Sequence, residues 1–177
     1  MEDPQGGASA EERGIKQVEI EKPEISDVPR ILELLTGQDA FHNGLDAGYY
    51  VEPNNEERVN QFKDDVEKSI TSEDPSKEMR VAKVDRKIVG FITYGIGEEV
   101  YLDTQQRKFV EIKELFVEEE ARKHGAGRKL RSEALNLARE NGVGIKVQYS
   151  VHNEGAKRFW SEVATPSQEI AYSQPES

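Results

Sequence analysis

Val110-Glu-Ile-Lys-Glu-Leu-Phe-Val-Glu-Glu-Glu-Ala-Arg-Lys-His-Gly-Ala-Gly-Arg-Lys-Leu-Arg131 decides how the rest of the chain is read. An apolar-rich strand, about Lys108 to Val117, runs into a short acidic turn. Arg122-Lys-His-Gly125-Ala-Gly127 follows, and an amphipathic helix begins at the glycines. Glycines at such a junction let the backbone approach an anion closely, and the first amides of a helix have no partner inside it. The helix dipole adds positive potential at the same end. Arg122, Lys123, Arg128, Lys129 and Arg131 bring cations to the same segment. Together these features describe a cradle for a phosphate group.

Upstream, Gln17 to Glu21 alternates apolar and polar residues and reads as a first strand. Ser26-Asp-Val-Pro opens a helix with Val28, Ile31, Leu32, Leu34 and Leu35 as its apolar stripe, and Gly37 is expected to stop it. His42 to Asp46 and Tyr49 to Pro53 then form an irregular, aromatic stretch. Asn54-Asn55 can cap a second helix carrying Val59, Phe62, Val66 and Ile70. Met79 to Val84 and Lys87 to Tyr94, joined by Asp85-Arg86, predict a β-hairpin, and Gly95 to Gln106 a polar connection. Downstream, the helix after the glycines presents Leu130, Ala134, Leu135 and Ala138, and Asn141-Gly142 ends it. Ile145 to Ser150 reads as a fifth strand. Asn153 opens a helix with Ala156, Phe159, Trp160 and Val163, and Gln168 to Tyr172 reads as a last strand. The predicted order is β-α-α-β-β-β-α-β-α-β. This is one α/β domain over residues 15–173, behind a polar tail, residues 1–14, expected to be disordered.

Composition narrows the function. The formal net charge is −11, which argues against general nucleic-acid binding and against attraction to anionic membrane; it would draw in a cationic substrate such as an amine, or serves solubility alone. The chain has no cysteine, so thiolate nucleophiles and cysteine-based zinc sites are excluded. His42, His124 and His152 show no metal-like spacing, and no metal is expected. Without an apolar leader or a membrane-length apolar run, the expected location is cytoplasmic.

Arg122-x-x-Gly125-x-Gly127, placed between a strand and a helix, resembles the Arg/Gln-x-x-Gly-x-Gly/Ala motif of the GNAT superfamily of acyl-CoA-dependent N-acetyltransferases. Asn153-x-x-Ala156-x-x-Phe159-Trp160 stands where that family shows Asn-x-x-Ala-x-x-aromatic/aliphatic-Tyr. The hairpin Val81 to Phe91 looks like its second and third strands, and His42-x-x-Leu45-Asp46 with Tyr49-Tyr50 like the loop before its second helix. The resemblance covers residues 16–164. It implies a mixed, mostly antiparallel central sheet flanked by helices, with acetyl-CoA held in a split between the fourth and fifth strands. On that footing the backbone of Leu115, Phe116 and Val117 pairs with the pantetheine arm. Amides of Arg122, Lys123, His124, Gly125, Ala126, Gly127, Arg128 and Lys129 hold the pyrophosphate. Asn153 bonds the arm and Phe159 packs beside it.

Acetyl transfer to an amine needs a proton acceptor, a donor for the thioester oxygen and an exit for the thiolate. Glu111 and Glu114 are the candidate bases, and simple strand alternation points them to opposite faces. The tyrosine that many family members carry seven residues after the asparagine is Trp160 here, an N–H donor that holds no transferable proton; the thiolate then leaves unprotonated, through water, or with Tyr149 as the substitute donor. The acceptor reads as a primary amine of a small molecule, a peptide or a protein. The alternative is an acyl-CoA-binding sensor or assembly module with little transfer. Nucleotide hydrolysis fits poorly, because the loop lacks Gly-Lys-Ser/Thr. The short segment after Pro166 also suggests completion by a second copy, a homodimer.

Overall fold

The computed structural model describes residues 17–99 and 108–166. β1 (Val18–Glu21) leads through a turn of 3-10 helix, Ile25–Asp27, into α1 (Val28–Leu45) and α2 (Glu56–Thr71). Then come β2 (Glu78–Val84), β3 (Lys87–Glu98), β4 (Lys108–Val117), the one-turn α3 (Glu119–Arg122), α4 (Ala126–Glu140), β5 (Gly144–Val147) and α5 (Glu154–Ser161). The strands form one sheet in the order β1-β2-β3-β4-β5, antiparallel except for the parallel pair β4–β5. This is the mixed, mostly antiparallel sheet flanked by helices that the sequence implies.

Local chemistry sets the element ends. Asp85 and Arg86 both take positive φ, 51° and 66°, the two-residue turn whose twist matches a hairpin. Asn55 caps α2 by accepting from the Arg58 N–H at 3.0 Å. Gly142 (φ 63°) closes α4: its N–H donates to the Arg139 carbonyl and that of Val143 to Ala138, a Schellman ending.

Both faces of the sheet are covered. Ile92 of β3 joins Val110, Ile112, Leu130, Ala134 and Trp160 in a core under α4 and α5. Its neighbour Phe91 joins Ile31, Leu35, Phe62 and Val66 in a second core under α1 and α2. Alternation along β3 feeds both layers, and each such side chain, fully buried, stabilises by about 1.5–3 kcal/mol.

The structure corrects four expectations. Gly37 does not stop α1, which continues to Leu45, so His42–Leu45, the start of the stretch read as irregular, is helical. A Cβ on Gly37 would meet the Phe116 ring at 3.4 Å, an ordinary contact, so this glycine lies inside the helix without capping it. β3 continues past Tyr94 to Glu98, pairing Gly95–Glu98 with Lys108–Glu111. β5 ends at Val147 rather than Ser150. The fourth correction concerns β4. Thr93 pairs with Glu114 but Tyr94 pairs with Ile112, so Lys113 is an extra residue, a β-bulge. Val110 and Ile112 before it, and Leu115 and Val117 after it, face the α4 side. Glu111 and Glu114 therefore share the α1–α2 face, against the simple alternation. The expected tail over 1–14 and the expected strand over 168–172, on which the homodimer was argued, lie outside the described residues. Among the described residues, no helix is long and apolar enough to cross a membrane.

Candidate functional site

The parallel pairing of β4 and β5 runs from Phe109 opposite Gly144 to Ile112 opposite Val147, and there β5 ends. β4 continues to Val117 paired only with β3, so the sheet opens between its fourth and fifth strands. The crevice lies at the carboxyl ends of two parallel strands, where open α/β sheets receive ligands. Glu118 N–H donates to the Val89 carbonyl at 2.9 Å, which fixes the orientation of the strand. By alternation, the backbone groups of Phe116 face β3, and those of Leu115 and Val117 face the opening. The Val117 carbonyl already accepts from Arg122 Nε at 2.9 Å. The open edge thus offers the Leu115 N–H and C=O and the Val117 N–H. Phe116 contributes its ring.

Beside this edge lies the glycine cradle. Gly125 takes φ 78°, a left-handed conformation costly for a side-chain-bearing residue, and leaves open space where a Cβ would stand. The N–H groups of Ala126, Gly127 and Arg128 donate to no described carbonyl, while Lys129 N–H returns to the Gly125 carbonyl. His124 and Gly125 N–H groups are taken by Ala121 and Arg122 carbonyls. The donors available to an anion are thereby narrowed from the whole loop to the first turn of α4.

Most cations of this segment are already engaged within the protein. Arg122 clips the loop to β4 and lies over the Phe41 and Phe116 rings. Lys129 Nζ donates to the Val18 carbonyl. Arg128 pairs with Glu162 at 2.9 Å, and buried Arg131 pairs with Glu162 at 2.8 Å and donates to the Phe159 carbonyl. Asn153 caps α5 by accepting from the Ala156 N–H, which leaves its amide NH2 free to donate. Phe159 lies against Gly127, 3.5 Å from where a Cβ would stand, and under the Arg131 guanidinium. Trp160 is buried in the α4-side core, 5% exposed, and meets Phe159 edge-on. Tyr149, half-buried just beyond β5, packs on the same side.

The opposite face is built from side chains. Glu114 Oε1 accepts from Arg58 of α2 at 2.7 Å, and its Oε2 accepts from Gln38 of α1. Arg58 also stands 3.6 Å from Asp39, which is only 4% exposed. Burial pushes the Asp39 carboxyl up from its ordinary range; Arg58 opposes this and Glu114 adds to it. Burial likewise pushes the His42 imidazole down, against the pull of Glu114 and Asp39, and the ring stacks on Tyr50 at 4.8 Å. Glu111 makes no hydrogen bond or ion pair with a described residue. Its cross-strand neighbour Lys146 pairs instead with Glu99 and lies over Phe109. A cavity of about 260 Å³ opens on this side at the end of β4, lined among others by Glu33, Phe41, Phe116, Glu119 and Arg122. Gln38, Asp39 and Arg58 escaped the sequence reading. The available signal was that positions 38, 39 and 42 continue the apolar stripe 31, 34, 35 at helical spacing, once Gly37 is allowed inside the helix.

The sequence model described as Acetyltransferase (GNAT) family matches residues 39–163. No curated protein matches the chain. Among solved structures, a mutant of the BH1408 protein from Bacillus halodurans is similar at a TM-score of 0.72 and 21% identity, covering 90% of this chain and 99% of that one. Aminoglycoside 6'-N-acetyltransferase AAC(6')-Ih from Acinetobacter baumannii superposes at 0.67 with 14% identity, covering 91% and 99%. Aminoglycoside N-acetyltransferase AAC(6')-Iy, in complex with CoA, does so at 0.64 with 13% identity, covering 90% and 96%. At these identities the likeness is one of fold.

Proposed function

Because the chain belongs to the GNAT acetyltransferase family, we propose that it transfers an acetyl group from acetyl-CoA to a primary amine. The observation that carries this reading is the opening between β4 and β5, with free backbone donors on one side and an unengaged carboxylate, Glu111, on the other. The residues present fit the cofactor. The Ala126, Gly127 and Arg128 N–H groups would hold its pyrophosphate, the Leu115 and Val117 edge its pantetheine amides, and Asn153 and Phe159 would flank the arm. Bound there, it supplies an activated thioester.

The protein's own tasks follow from the two faces. Glu111 accepts a proton from the amine on the α1–α2 side, which frees the nitrogen lone pair to form the new N–C bond. With Val117 N–H and Leu115 C=O on the arm, the Leu115 N–H, farther from the α4 cradle, is the group to hydrogen-bond the thioester oxygen. On the α4 side, Tyr149 would protonate the sulfur as the C–S bond breaks. Trp160 is committed to the core and takes no part. Aminoglycosides are the amines acted on by two of the similar structures. The acidic α1–α2 face suits a cationic amine of that general kind.

The test is CoA thiol release from acetyl-CoA across a panel of primary amines, with mass spectrometry of the acceptor. Amine-dependent release with acetylated product is expected. Acetyl-CoA binding with no release for any amine would favour the binding-module alternative.

A further inference from the structure

We propose that Arg58 is a positioning residue that decides which β4 glutamate accepts the proton, holding Glu114 out of the reaction so that Glu111 serves alone. The inference rests on the acetyl-transfer reading above. The bulge at Lys113 brings both glutamates to one face, so the strand itself does not choose between them. The choice is made by α2. Arg58 Nη2 donates to Glu114 Oε1 at 2.7 Å, and Gln38 Nε2 donates to Oε2, so both Glu114 oxygens are held. To take a proton from an amine, Glu114 must first leave a charge-assisted hydrogen bond in a half-buried site.

The guanidinium is itself fixed. It lies over the Phe62 ring at 5.6 Å and 3.6 Å from Asp39 Oδ1. The charged and titratable groups gathered around it are Asp39 and His42 of α1 with Glu114 of β4. Lys146, the nearest cation on β5, is engaged with Glu99. Arg58 therefore joins α1, α2 and β4 at the bulge, and it leaves Glu111 the carboxylate of β4 with both oxygens free of described partners.

A background lacking Glu111 tests this, because releasing Glu114 should then restore transfer. Turnover per KM for the amine is measured at neutral pH in Glu111→Gln, in Glu111→Gln with Arg58→Met, and in Glu111→Gln with Arg58→Lys. Calorimetry of acetyl-CoA binding checks that the cofactor side is intact. Glu111→Gln alone should lose roughly 10²-fold. Adding Arg58→Met should recover about tenfold of that loss, Arg58→Lys should recover none, and a further Glu114→Gln should erase the recovery. If Arg58→Met does not fold, the same series is run with Asp39→Asn added, which removes one of the two carboxylates left without their cation. Losses that multiply, or a recovery that survives Glu114→Gln, would overturn the proposal. So would full activity of Glu111→Gln, which leaves the acetyl-transfer reading standing. Absence of transfer by the unmodified protein across the amine panel would instead sink that reading, and the proposal with it.

Discussion

The two faces of the split sheet are made of different material. On the α4–α5 side the groups proposed to bind the cofactor are backbone: the Leu115 and Val117 edge, and the first amides of a helix entered through a left-handed glycine. The side chains there are tied to the protein itself, as in Arg128 and Arg131 on Glu162 or Lys129 on the Val18 carbonyl. On the α1–α2 side the backbone is paired, and the chemistry belongs to side chains drawn from three elements: Gln38, Asp39, Arg58 and Glu114. A backbone-built face tolerates side-chain change but not a change of conformation or charge. A side-chain-built face depends on the identity and charge of each side chain.

The largest expected effect is on the first face. Gly127→Glu places a carboxylate where the proposed cofactor's pyrophosphate would approach, and should weaken acetyl-CoA binding roughly 10²-fold or more, by calorimetry. A Cβ at Gly127 meets only ordinary contacts, the Phe159 ring at 3.5 Å, so thermal stability should change little. Gly125→Glu should lose as much affinity and also about 1–2 kcal/mol of stability, because its φ of 78° strains any side-chain-bearing residue. Equal affinity in either folded variant would remove the cradle from the cofactor site.

Next in size is the response of the α4-side core to alkali. Tyr94 is 3% exposed, and burial pushes its hydroxyl up to about 12, with Arg80 opposing. The unfolded chain loses this proton near pH 10 while the folded chain still holds it. The stabilisation is therefore complete below pH 10 and lost as pH rises towards 12, about 2–3 kcal/mol in all. Chemical denaturation at pH 9 and 11.5 measures it, and Tyr94→Phe should flatten the difference.

A smaller effect sharpens the other face. The Asp39 carboxyl is pushed up, chiefly by burial, so its charged form is the strained one above its folded value. Asp39→Asn should leave stability at neutral pH unchanged or slightly improved in a thermal melt, although it removes a partner of Arg58. A clear loss would mean that the Arg58 contact outweighs the cost of burying the charge.

The same contrast explains what was legible in the sequence. The cradle was readable because backbone binding demands glycines at fixed places between a strand and a helix, and Arg122 to Gly127 carries that pattern within six residues. The hairpin was readable from Asp85-Arg86 flanked by apolar runs. The α1–α2 face was not, since its members are far apart in sequence and each is ordinary alone. The facing of Glu111 and Glu114 was misread because a bulge leaves no local mark: Lys113 looks like any exposed strand residue until its partners on β3 are known. Gly37 misled for a related reason. A glycine looks the same in sequence whether it ends a helix or lies within one, as Gly37 does in α1.

The central claim is that an amine on the side-chain-built face gives its proton to Glu111 while the backbone-built face holds the thioester. The pH–rate profile of Glu111→Gln tests it most directly. Amide and carboxylate are nearly isosteric, so acetyl-CoA affinity should be retained, while turnover near neutral pH falls by roughly 10²-fold. Much of that rate should return as pH rises and free amine becomes abundant, and Glu114→Gln should fall by less than about tenfold, since Glu114 is already held by Arg58 and Gln38. A Glu111→Gln profile that overlays that of the unmodified protein at every pH would contradict the account.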